Sequence, residues 1–115
     1  MSPEPRRDFS VPVPVRVLRA AHESRDEYAV NLSPGGMCLH VREPLEEGER
    51  VEVRFSLPPE GLVVEARGHV LWSSRHAASA EAPRFWEVGL RLDQMEEHVR
   101  AQVATWASQP IDRRR

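Results

Sequence analysis

Apolar and polar side chains alternate residue by residue along most of the chain, the period an extended strand needs to place one set on a buried face. In "VPVPVRVL" the residues Val11, Val13, Val15 and Val17 recur at every second position. Tyr28, Val30 and Leu32 repeat that spacing, and Met37, Leu39 and Val41 resume it after "SPGG", so residues 28–41 read as a hairpin. "ERVEVRFSLP" then sets Val51, Val53, Phe55 and Leu57 against Glu52, Arg54 and Ser56. Val64, Ala66, Gly68, Val70 and Trp72 follow on one face, and Trp86, Val88, Leu90 and Leu92 on another. Pro12 and Pro14 remove N–H donors from one side of the first strand, which starts it at a sheet edge.

The period changes in "DQMEEHVRAQVATWASQP", where Met95, Val99, Val103 and Trp106 repeat at four, four and three residues, a helical stripe. Asp93 is placed to cap its start, Glu96 and Glu97 suit the first turn, and Pro110 stops it. Six strands with no helix between them predict an all-β fold, a six-stranded antiparallel barrel. The helix lies on its open end or outer wall. Residues 11–108 form this unit, the proline-rich and charged residues 1–10 read as a flexible arm, and 109–115 as a solvated tail. The small, polar link "SSRHAASAEAP" reads as mobile.

A length of 115 residues allows one domain, and 40% hydrophobic with 30% charged residues is a globular composition. A net charge of -2 supplies no basic field for a nucleic-acid polymer, and no apolar run approaches the roughly 20 residues of a membrane span. A single cysteine, Cys38, and no secretory pattern make a reducing cytoplasm the expected location. All 16 basic residues are arginine. Codon usage explains that as well as chemistry does, so only individual positions bear on function.

Catalytic chemistry finds little support. The five histidines, His22, His40, His69, His76 and His98, show neither H-x-x-x-H nor Cys-x-x-Cys spacing, so no metal site is expected. His40 and His69 fall on polar faces of strands, and Cys38 reads as a core or subsurface thiol. Ser33 is not in a G-x-S-x-G elbow, and "SPGG" is not a P-loop. Trp72, Trp86 and Trp106 each fall on the apolar stripe of their element, which favours core packing over a base-stacking platform.

The turn "NLSPGG" is an ordinary hairpin connection or a ligand cradle. Asn31 brings an amide, Ser33 a hydroxyl, and Gly35 and Gly36 leave backbone N–H groups open to close approach by an anion. Arg6 and Arg7 bring guanidinium forks suited to phosphate or the O6/N7 edge of guanine.

Over residues 6 to about 108 the chain resembles the PilZ domain, a bacterial receptor module for cyclic di-GMP. Asn31, Ser33 and Gly36 match that family's [Asp/Asn]-x-Ser-x-x-Gly motif. "LEEGERVEVRFSLP", "ARGHVLW" and "EVGLRLDQM" are similar to its later stretches, in the same order. The family's Arg-x-x-x-Arg motif is broken: Ser10 stands four residues after Arg6, Val11 four after Arg7, and Arg16 lies inside the first strand.

The resemblance implies a non-enzymatic signalling module of bacterial motility, pili or surface behaviour, without a resident cofactor. Its ligand residues are Arg6, Arg7, Asn31, Ser33, Gly35 and Gly36. Two readings stand. In one the domain acts on a protein partner of a motility or signalling system, with cyclic di-GMP binding weakened or lost; in the other it is a working cyclic di-GMP receptor.

Overall fold

The computed structural model describes residues 4–76 and 85–109. Six strands, β1 (Arg7–Arg19), β2 (His22–Ser33), β3 (Gly36–Val41), β4 (Arg50–Leu57), β5 (Leu62–His76) and β6 (Phe85–Met95), precede one helix, α1 (Glu97–Ser108). The strands close into a barrel in the order β1-β2-β3-β6-β5-β4, and every pair is antiparallel. The expected all-β barrel with a C-terminal helix is the observed architecture. Closure removes the exposed edges a flat six-stranded sheet would carry.

The alternating stripes build the core. Val13, Val15, Val17, Met37, Leu39, Val41, Val51, Val53, Phe55 and Leu57 are buried inward, joined by Val64, Ala66, Val70, Val88, Leu90 and Leu92. Pro12 and Pro14 precede Arg16–Arg19, the part of β1 that pairs with β4, so their missing donors leave no partner strand unsatisfied there.

Bulges correct the simple alternation at three places. The pairing of β2 with β3 slips between Ala29 and Asn31, so Glu27 and Ala29 face inward before the slip and Leu32 after it. Tyr28 is therefore outside, 48% exposed, instead of sharing a face with Leu32. In β5 the register slips between Val70 and Trp72, which turns Trp72 outward, 40% exposed, instead of into the core. In β1 the slip between Asp8 and Val13 leaves Val11 73% exposed.

The chain ends differ from expectation as well. Residues 7–10 belong to β1, where Arg7 and Asp8 pair with Leu32 and Asn31, and are not a free arm. Met95 and Asp93 belong to β6, which pairs as far as Met95 opposite Ala66, so the helix starts later than its apolar stripe suggested. Glu96 takes the N-cap position without a side-chain cap bond, and Asp93 instead accepts from His69. Val99, Val103, Trp106 and Ala107 are the buried face of α1. Residues 1–3, the middle of the polar link and the terminal arginines lie outside the described residues. No helix among the described residues is long and apolar enough to cross a membrane.

Candidate ligand site at the second turn

The turn between β2 and β3 is held from three sides. A Cβ at Gly36 would lie 2.7 Å from the Leu90 carbonyl oxygen, so only glycine lets β3 start this close to β6. The Leu92 N–H donates to the Gly35 carbonyl at 2.9 Å. From α1, Arg100 donates through Nη1 to the Pro34 carbonyl and through Nη2 to the Leu92 carbonyl at 3.4 Å. Barrel and helix thus fix a loop that would otherwise be a mobile hairpin tip.

Two polar side chains of the motif lie in this fixed turn. Ser33 is buried, and its Oγ has a single proton to share between the Gly36 carbonyl at 3.2 Å and Glu4 Oε2 at 3.3 Å. Asn31 Oδ1 is buried without a hydrogen-bond partner among the described residues. An acceptor left open in this way is one that a bound N–H or a water would satisfy; Ser73 Oγ is a second such atom among the described residues.

The two arginines part company. Burial alternates from Glu4 to Ser10, with Glu4, Arg6, Asp8 and Ser10 exposed and Pro5, Arg7 and Phe9 half-buried. Arg7 therefore faces the helix: its Nη1 donates to the Trp106 carbonyl at 3.1 Å and its guanidinium lies 4.7 Å from the Trp106 ring centroid. Phe9 packs on the same ring at 5.0 Å. Arg6 is exposed on the other side, close enough to Cys38 to be felt electrostatically. The two neighbouring arginines thus serve opposite sides of the strand: Arg7 is taken away to the helix end, and Arg6 is left exposed on the side of Asp8, whose partner in β2 is Asn31.

Strand register extends the face beyond the turn. Asp8, Asn31, Cys38, Gly89 and Trp72 are successive partners across β1, β2, β3, β6 and β5. Trp72 lies flat over Gly89, where an added Cβ would meet its Nε1 at 2.3 Å. From Asn31 to Trp72 is three strand spacings, about 14 Å. One end of the row offers an amide, a hydroxyl and a guanidinium, and the other an exposed aromatic ring that suits a nucleobase.

The thiol on this row is a poor nucleophile. Burial pushes the Cys38 thiol up to about 12, reinforced by its hydrogen bond to Glu87 Oε1 at 3.4 Å and the negative charge there, against the smaller pull of Arg6. The thiolate needed by a nucleophile is scarce at neutral pH. His40 pairs with Glu87 at 3.7 Å and tilts against Phe85 at 4.6 Å. Among the described residues no group of three His, Cys, Asp or Glu side chains is placed to hold a metal ion. On the far wall a wide groove is lined by Arg16–Asp26, Arg54–Glu65 and Arg67–Glu52, whose charges pair off.

The PilZ domain profile matches residues 3–109, from before Arg6 to the end of the helix. The chain belongs to the PilZ domain family. No curated protein sequence matches this PilZ domain. Among solved structures it is similar to the PilZ domain with c-di-GMP of YcgR from Escherichia coli, at 18% identity and a TM-score of 0.69, covering 85% of this chain and 82% of that one. It is also similar to the Bacillus subtilis inhibitor of motility MotI/DgrA, at 16% identity and a TM-score of 0.71, covering 90% of this chain and 47% of that one. MrkH, a c-di-GMP-dependent transcription regulatory factor, gives 14% identity and a TM-score of 0.72, covering 90% and 48%. This PilZ domain thus spans about half the length of MotI and MrkH. At these identities the likeness concerns the fold.

Three residues of the site escaped the sequence. Trp72 was assigned to the core because strict alternation ignores the bulge before it. Arg100 lies on a helix turn with no local mark of its bond to Pro34. Glu4 shows no pattern that ties it to a loop 29 residues away.

Proposed function

We propose that this PilZ domain is a non-enzymatic signalling module that binds cyclic di-GMP weakly on the face from the second turn to Trp72 and acts through a protein partner. The observation that carries the binding half is the orphaned Asn31 Oδ1 beside Ser33, Gly35 and the Arg6 side of the chain. A nucleotide N–H laid there would satisfy it. Phosphate would find the Arg6 fork, and a guanine ring could stack on Trp72.

The weakness follows from what the same face lacks. Ser10 stands where the second arginine of the family motif would be, and Arg7 is spent on Trp106. Losing one charge-assisted bidentate pair costs roughly 1.5–3 kcal/mol, about ten- to a hundredfold in affinity. Transmission to a protein partner is the output in this reading, with motility or surface behaviour as the setting.

Titration calorimetry of the full chain with cyclic di-GMP tests the reading. The expected dissociation constant lies at about ten micromolar or weaker, and Arg6→Ala weakens it about tenfold further. Submicromolar binding would remove the attenuated reading. No heat at high micromolar ligand would remove the receptor reading and leave a module of protein contact alone.

A further inference from the structure

Resting on that reading, we propose that Glu4 is a built-in competitor: its carboxylate occupies the anion-facing side of the Ser33–Gly36 turn and must leave before a phosphate can enter.

Glu4 Oε2 lies 3.3 Å from Ser33 Oγ, the motif's hydroxyl donor. At Gly35 an added Cβ would meet Glu4 Oε1 at 2.8 Å, Oε2 at 2.9 Å and Cδ at 3.2 Å. The carboxylate therefore rests against the bare backbone that glycine leaves open, the surface by which such a turn admits an anion. A carboxylate and a phosphate share what matters at this spot, a negative charge and oxygen acceptors.

Its neighbours hold Glu4 there. Arg7 and Phe9, three and five residues on, are clamped to Trp106. A group tethered so closely to an anchored strand acts at about millimolar effective concentration, enough for a weak contact to oppose a micromolar ligand. Displacement requires only that residues 4–6 swing, because strand pairing begins at Arg7. Arg6 sits inside that swinging segment, so the movement that removes the carboxylate also frees the guanidinium to close on the ligand.

Competition lowers apparent affinity by the fraction of molecules whose turn is open; if about one in ten is open, freeing the turn gains about tenfold. Calorimetric titrations of cyclic di-GMP into the full chain, Glu4→Gln and Glu4→Ala compare the states directly. Both variants are expected to bind about tenfold more tightly than the parent chain. Equal affinity in all three overturns the competitor while leaving the receptor intact. If none binds, the receptor reading falls, and nuclear Overhauser contacts in the ligand-free chain still decide where the carboxylate lies. A contact between the Glu4 γ protons and the Gly35 α protons supports the occupancy, and its absence overturns it.

Discussion

At the scale of single residues, the paired glycines of the turn have separate jobs. Gly36 faces backbone: a methyl group there meets the Leu90 carbonyl at 2.7 Å, and a strand carbonyl cannot yield without disturbing the β3–β6 pairing. Gly36→Ala is therefore expected to destabilise the fold by about 1–3 kcal/mol, the usual cost of overpacking, seen as a lower urea midpoint. At Gly35 the nearest atoms belong to the far end of the Glu4 side chain, which can move away. Gly35→Ala should leave stability within about 0.5 kcal/mol while obstructing the approach of an anion. Of the two adjacent glycines, the motif's Gly36 is thus the one the barrel requires, while Gly35 has room for a side chain once Glu4 moves.

At the scale of elements, β1 and α1 act as one unit through Arg7, Phe9 and Trp106. Arg7 contributes a charge-assisted bond to a carbonyl in the last turn of the helix and a cation over the indole face. That turn has no basic residue of its own, so Arg7 supplies from β1 the positive charge its carbonyls favour. Arg7→Ala is expected to cost about 1–2 kcal/mol and to speed amide exchange at residues 106–109, whereas Arg6→Ala leaves both unchanged. If the two substitutions behave alike, the division of the arginines between two faces is wrong.

Most elements could be read from alternation of apolar and polar residues, which β4 follows without interruption from Arg50 to Leu57. What could not be read came from bulges and distant contacts. One extra residue before Trp72 reverses its face, another before Asn31 turns Tyr28 outward, and local hydropathy carries no mark of either. The motif residues Asn31, Ser33 and Gly36 were recognisable as letters. That Glu4 would settle on them depends on how the helix end anchors β1, a contact across 99 residues.

At the scale of the whole molecule, a closed barrel has only its two ends and its outer face for polar business. Among the described residues Glu27 is the one buried carboxylate. Facing inward beside Val15 at 7% exposure, its carboxylate accepts the Arg42 N–H at 3.3 Å. Burial raises its pKa above the ordinary 4.5, more than the Arg42 N–H and the charges of Arg25 and Arg42 lower it. The native state therefore holds this proton more tightly than the unfolded chain does. The stabilisation linked to that proton is complete below the unfolded value and is lost as pH rises through the folded one, so at pH 7 a charged Glu27 subtracts from stability. Glu27→Gln keeps the shape and an acceptor for the Arg42 N–H while removing the charge. Its urea midpoint should exceed that of the parent chain at pH 7, and the advantage should vanish as pH falls below about 4.5. Glu27→Leu also removes the charge but leaves the Arg42 N–H unpaired, a loss of about 1–3 kcal/mol. A glutamine variant less stable than the parent at pH 7 would mean that the carboxylate's pairing outweighs its burial, the reverse of the balance drawn here.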